Sequence, residues 1–208
     1  MGGEPVIFTE NAVAYSLYKH LHKHSGPESR FFFKFQNHRT LRENRTWYYY
    51  CAPDIDVIES RQDGKLIAYE LKGARKHRSG IPDSPPLSDA IGQAIAYLDL
   101  PWIYENDRRK FVGGAFDQVY IVCARATAAV DDSEPRILDT VPLGAMLALP
   151  DGQFVTIKEA PHNPIQDIRA KDHVLQNVNS LEKHTLGSKI GRSISAAGKE
   201  YEIKLSRG

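Results

Sequence analysis

The stretch Pro53 to Gly73, PDIDVIESRQDGKLIAYELKG, carries Asp54, Asp56, Glu70 and Lys72 inside runs that are otherwise apolar. Side chains alternate across an extended chain. Asp54 and Asp56 should therefore share a face with Ile58, with Ile55 and Val57 on the other. Glu70 and Lys72 should share a face with Ala68, opposite Ile67, Tyr69 and Leu71. Asp63-Gly64 between the runs is a hairpin signal, so the two charged edges should meet. Carboxylates a few ångströms apart stay ionised together only if something positive sits between them. Oxygen ligands of this kind suit Mg²⁺, and Lys72 would add a fixed charge beside the ion. Such a group can hold a phosphate, lower the pKa of an attacking water and stabilise the charge of a transition state. An acid and a lysine two apart also occur on many solvated strand faces. The apolar setting is what distinguishes these.

The elements that must position these residues can be read along the chain. FTENAVAYSLYKHLHKH has Val13, Leu17 and Leu21 at helical spacing and Thr9 as an N-cap. RFFFKFQN and RTWYYYCA read as strands, followed by DIDVIES and KLIAYELKG as antiparallel neighbours. ARKHRSGIPDSPPLS reads as a loop. LSDAIGQAIAYLDL reads as a helix capped by Ser88 and stopped by Pro101, with Leu87, Ile91, Ala94, Ile95 and Leu98 as its apolar stripe. FDQVYIVCA is a buried strand and GQFVTIKE another. Residues 163–184 read as a polar helix with a thin seam of Ile165, Ile168, Val174 and Val178. From Lys183 onward the chain reads as a weakly structured basic tail. The expected fold is α/β, a central mixed sheet flanked by helices, with residues 1–160 as the main domain and 161–208 as a helical, basic extension.

Composition sets the bounds. The 208 residues are 41% hydrophobic and 25% charged, enough for one domain with a real core. The formal net charge of +1 leaves any attraction to a polyanion to a local patch. The two cysteines, Cys51 and Cys123, form neither a disulfide framework nor a CxxC site. They read as buried thiols of a reducing compartment. No apolar run is long enough to span a bilayer and no signal-peptide core opens the chain, so the expectation is a cytoplasmic protein with no membrane partner.

PDIDVI followed by YELKG resembles the PD-(D/E)xK nuclease superfamily, the restriction-endonuclease-like fold, over about Thr9 to Ala124. That family's core is a helix, a mixed four-stranded sheet and a second helix, with an Asp on one strand and ExK on the next. Glu70 and Lys72 match the ExK. Asp56 is similar to the family Asp, with Asp54 of the literal PD as the competing assignment. Gln93 and Tyr97 look like the QxxxY helix motif of several branches; on the helix they fall off the apolar stripe, in line with Asp89. Some relatives place a further metal-site acid where Glu10 stands, though Glu10 is also well placed for a positive helix N-terminus.

The resemblance implies a metal-dependent nuclease acting on phosphodiester bonds, with DNA as the expected substrate. Asp56 and Glu70 would hold Mg²⁺, with Mn²⁺ as a substitute, helped by the Leu71 carbonyl and by Asp54 or Glu10. Lys72 would orient the water, and Gln93 and Tyr97 would lie beside the site. Arg75, Lys76 and Arg78, directly after the ExK strand, would hold backbone phosphates. Arg108, Arg109 and Lys110 form a second basic cluster that reads as a solvated charge run. A homodimer stays open, since dimers are common in such families. The alternative is a nucleic-acid-binding or assembly protein that keeps the fold without cleaving. An unrelated α/β enzyme finds no support, because no Gly-rich phosphate loop, GxSxG or HExxH is present. His20, His22 and His24 alternate along a helix and so read as a poor metal site. The aromatic run TWYYYCA reads as packing before base stacking.

Overall fold

The computed structural model describes residues 7–35, 48–50, 54–76, 82–83, 86–100, 102–105, 110–130, 133–176 and 183–206. Helix α1, Glu10–His24, begins where Thr9 accepts a hydrogen bond from the Ala12 N–H, as its sequence predicts. Strands β1 (Arg30–Phe35), β3 (Ile55–Ser60) and β4 (Leu66–Lys72) follow, with the short β2 (Tyr48–Tyr50) between the first two. Two-residue strands β5 (Arg75–Lys76) and β6 (Pro82–Asp83) pair within the stretch expected to be a loop. Helix α2 spans Ser88–Leu98, then β7 (Trp102–Glu105), β8 (Lys110–Val112) and β9 (Gln118–Ala124). The chain continues through α3 (Ser133–Asp139), β10 (Gly144–Ala148), β11 (Phe154–Lys158), α4 (Ile168–Gln176) and α5 (Lys189–Leu205).

The central sheet has six strands in the order β1-β3-β4-β9-β10-β11. β1, β3 and β4 form an antiparallel meander; β9 and β10 run parallel to β4, and β11 returns antiparallel. This is the mixed α/β sheet flanked by helices that the sequence implies. β2, β7 and β8 form a separate three-stranded sheet, so the aromatic run does not join the main one. Gly64 takes a positive φ of 80° in the turn between β3 and β4, which is why Asp-Gly stands there.

Each face of the sheet buries its own core. Phe31, Phe33, Val57, Ile67, Tyr69, Leu71 and Val122 pack under α1 and α5. Phe32, Ile58, Ala68, Val119 and Ile121 pack under α2 and α4. β4 is buried on both sides, as a central strand next to a parallel partner should be.

Several expectations need correction. Ser88 is the first residue of α2 and not its cap; the cap position is Leu87, whose N–H donates to Glu134 Oε1 at 3.0 Å. The buried stripe of α2 includes Ala90 and Tyr97, while Ile95 is exposed. In α4 the seam is Ala170 and Val174; Ile168 is 60% exposed and Ile165 53%, and Val178 lies outside the described residues. The basic tail is ordered as α5, capped by Ser188, with Ile194 and Tyr201 in the core against α1. Glycine spacing explains it: Gly198 lies against the Tyr15 ring, where a Cβ would clash. A charge-rich composition had hidden this apolar face.

Candidate active site

The site forms where β3 and β4 part. Their ladder runs from Ser60↔Leu66 to Val57↔Tyr69 and stops there. The Leu71 N–H donates instead to Asp56 Oδ2 at 2.8 Å, so a side chain takes over from the next strand pair. On the other side of β3, pairing with β1 skips Lys34 and Asp56 between Phe33↔Val57 and Phe35↔Ile55. Lys34 has φ 47°, the one positive φ among described non-glycine residues. That turn breaks the alternation in both strands. Phe35 and Ile55 move to the α2-side core, away from Phe33 and Val57, so Ile55 and Val57 do not share a face as expected.

Glu10, Lys34, Asp54, Asp56, Glu70, Lys72 and Gln93 line one cavity of about 330 Å³ at this end of β4. The Lys34 ammonium bonds Asp56 Oδ1 and lies 3.7 Å from Glu10 Oε2. Lys72 Nζ donates to Glu70 Oε1 at 2.5 Å and to Gln93 Oε1 at 2.6 Å. The Tyr97 hydroxyl sits between Glu70 Oε2 and the Asp54 carbonyl oxygen. Its single proton serves Glu70 when that group is ionised. When Glu70 is protonated, it can donate to the hydroxyl, which then donates to the carbonyl. Tyr97 is fully buried, so the motif residue is part of the core as well as of the site.

Backbone packing brings Glu10 here. The Ala74 N–H donates to the Phe8 carbonyl at 2.8 Å. A Cβ on the adjacent Gly73 would fall 2.7 Å from the Thr9 carbonyl carbon. Only glycine lets β4 end this close to the start of α1, which points Glu10 into the cavity.

The electrostatics are uneven. Glu70 is 1% exposed, and burial, followed by the charge on Asp56, pushes it up to about 6 against the hydrogen bonds from Lys72 and Tyr97. Burial alone would lower Lys34; its pairing with Asp56, aided by Glu10 and Glu70, outweighs this and holds its pKa above the usual lysine value. Tyr97 is pushed up by burial and by the charges of Asp56 and Glu70, and stays protonated.

Asp56, Glu70, Lys72, Gln93 and Tyr97, chosen from the sequence, thus converge with Asp54 and Glu10. The Asp56 carboxylate accepts from the Lys34 ammonium and the Leu71 N–H. Asp54 lines the cavity and contributes its carbonyl to Tyr97. Leu71 contributes its N–H. Arg75 and Lys76 lie on β5, which pairs with β6; Arg78, Arg108 and Arg109 lie outside the described residues. Lys34 was missed. Its signal was a lone cation inside RFFFKF.

The donor chemistry fits a hard cation, since every acid here offers oxygen and no thiol or imidazole competes. The arrangement is nevertheless satisfied by lysines: Asp56 and Glu70 each pair with an ammonium. Among the described residues no group of three or more His, Cys, Asp or Glu is arranged to hold a metal ion. An ion at Asp56 and Glu70 would require the lysines to yield part of their contacts. Elsewhere, His20 and His24, four apart, do share a helix face, with rings 4.8 Å apart. They line a second cavity of about 240 Å³ with Lys19 and Lys23. Cys123 is a buried thiol pushed up to about 12 by burial, while Cys51 lies outside the described residues.

No protein-family model and no curated protein matches this chain. Among solved structures, a protein of unknown function from Silicibacter pomeroyi aligns with 87% of this chain and 95% of its own at 16% identity and a TM-score of 0.38. That likeness carries no functional information. Among the described residues no helix is long and apolar enough to cross a membrane.

Proposed function

We propose that this chain is a metal-dependent nuclease of the PD-(D/E)xK type, with a restriction-endonuclease-like core, that hydrolyses phosphodiester bonds in DNA. One observation carries the reading: Asp56, Glu70, Lys72 and Gln93 line one cavity, with Tyr97 bonded to Glu70 behind it, although they come from three separate elements. The element order supports it too, with α1, the β1-β3-β4 meander, α2 and then β9 parallel to β4.

Asp56 and Glu70 would hold Mg²⁺ or Mn²⁺, with Asp54 and Glu10 near enough to carry bound water. A divalent ion there supplies positive charge to the scissile phosphate and acidifies an attacking water. Lys72, 12% exposed at its side chain and fixed between Glu70 and Gln93, presents one ammonium hydrogen to the cavity. There it can orient the water and offset the negative charge of the five-coordinate phosphorus. The water gives up a proton to solvent as its oxygen forms the new P–O bond, the bond to the leaving sugar oxygen breaks, and that oxygen takes a proton from solvent. Tyr97 fixes the Glu70 rotamer. Arg75 and Lys76, just beyond the cavity along the chain, would hold flanking phosphates.

The competing reading is a nucleic-acid-binding protein that does not cleave, and one observation favours it: Lys34 and Lys72 already neutralise both central acids. Incubation with labelled single-stranded, duplex and branched DNA, and with RNA, in Mg²⁺, Mn²⁺ or EDTA decides between them. Cleavage that EDTA abolishes supports the nuclease. Binding without cleavage of any substrate in either metal supports the alternative.

A further inference from the structure

We infer that Lys34 is a built-in second cation of this site, so that the cavity accepts one divalent ion and no more. The inference rests on the metal-binding part of the reading above. Two-ion sites place their ions about 3.5–4 Å apart on a shared carboxylate. Here the shared carboxylate would be Asp56, which lines the cavity with Glu70 and Glu10. It shares the Lys34 ammonium with Glu10 and lies close enough to Glu70 for its charge to raise that group's pKa. One seat lies towards Glu70. The other lies between Asp56 and Glu10, and there the Lys34 ammonium touches Asp56 Oδ1 and approaches Glu10 Oε2 to 3.7 Å.

Charge supports the same count. The cavity is lined by four carboxylates, Glu10, Asp54, Asp56 and Glu70, and two ammonium groups, Lys34 and Lys72. With all of them ionised, the deficit is two positive charges, which one divalent ion fills. A second would leave a partly buried excess of two positive charges, which the loss of Lys34 would halve. The backbone also commits to this position. Lys34 adopts a left-handed φ inside a strand, a conformation disfavoured for any residue with a side chain, and that turn directs the ammonium to Asp56. A lysine that only decorated a surface would gain nothing from it. An ammonium in this seat supplies charge and hydrogen bonds but no Lewis acidity, so Lys34 serves as a positioning residue for Asp56 and Glu10.

The test is a titration of the full chain with Mn²⁺ in the absence of nucleic acid, with the free ion followed by electron paramagnetic resonance. Wild type should bind one ion per chain, Lys34→Met two, and Lys34→Arg one, with Mg²⁺ competing at each seat. Thermal denaturation confirms folding, and Lys34→Gln replaces the Met variant if that fails to fold. Two ions in wild type, or a single ion in the neutral variants even if held more tightly, overturns the inference and leaves the metal-dependent reading standing. No ion bound to wild type removes both.

Discussion

Strand β4 starts at one buried carboxylate and ends at another, and the two are held in opposite ways. At its start, Asp117 Oδ2 accepts the Leu66 N–H at 2.7 Å, while Gln166 and Lys171 each donate to Asp117 at 2.8 Å. The backbone carbonyl of Asp117 takes the N–H of Asn163, whose side chain in turn bonds the carbonyls of Leu98 and Phe116. Burial works against ionising Asp117, but the Leu66 N–H, Lys171 and Gln166 outweigh it and lower its pKa. At the far end, Glu70 has donors too, yet its burial and, after it, the charge on Asp56 raise its pKa. The first acid is surrounded by donors and locks β4, β9, α2 and α4 together. The second belongs to a cavity lined by four carboxylates and only two ammonium groups.

The largest expected effect lies at the locked end. Asp117→Ala should lower the unfolding free energy by about 3–5 kcal/mol, because it leaves Lys171 and the Leu66 N–H buried without their acceptor. A urea titration measures this, and a loss below 1 kcal/mol would erase the contrast. Next, Lys72→Ala should cost roughly 10²–10³ in kcat, about 2.7–4 kcal/mol in the barrier, with little change in DNA affinity. A cleavage time course beside a binding titration separates these effects. Equal cleavage by parent and variant would remove Lys72 from the chemistry.

Gly73→Ala should destabilise by about 1–3 kcal/mol, since the new methyl meets the backbone of Thr9 and Glu10. It should also weaken Mn²⁺ binding by moving Glu10. The smallest effect sharpens the comparison most, because its sign is reversed. The pKa of Glu70 rises on folding, so between about 4.3 and about 6 the folded state binds more protons than the unfolded. Its contribution to stability therefore falls as pH rises through that window. Glu70→Gln should thus be about as stable as wild type near pH 4 and more stable by about 1–2 kcal/mol at pH 8 in EDTA. Asp117 has the opposite sign. Its contribution is complete above the unfolded carboxylate pKa and is lost as pH falls through the lowered folded value. Denaturation curves for wild type and Glu70→Gln from pH 4 to 8 check this, and a difference that does not grow with pH refutes it.

Much of this site can be read from the chain because its parts are local. The strand pair and its turn follow from alternation and Asp-Gly, and α1 follows from Thr9 and a helical repeat. Glu70 and Lys72 must share a face because they are two apart on a strand, and the structure keeps that relation. What escaped depends on contacts between distant residues. The bond from the Leu71 N–H to Asp56 comes from where the β3–β4 ladder ends, at Val57 and Tyr69. The burial of Tyr97 comes from how α2 docks, which its stripe of leucine and isoleucine misstated by placing Ile95 inside. Glu10 enters because Gly73 admits the start of α1. Lys34 enters through a left-handed turn that no local pattern of RFFFKF encodes. Periodicity along a chain is set by neighbours a few residues apart and so can be read from sequence. The position of a charge 22 residues from its partner, as Lys34 is from Asp56, is set by register and packing, and only the tertiary structure decides it.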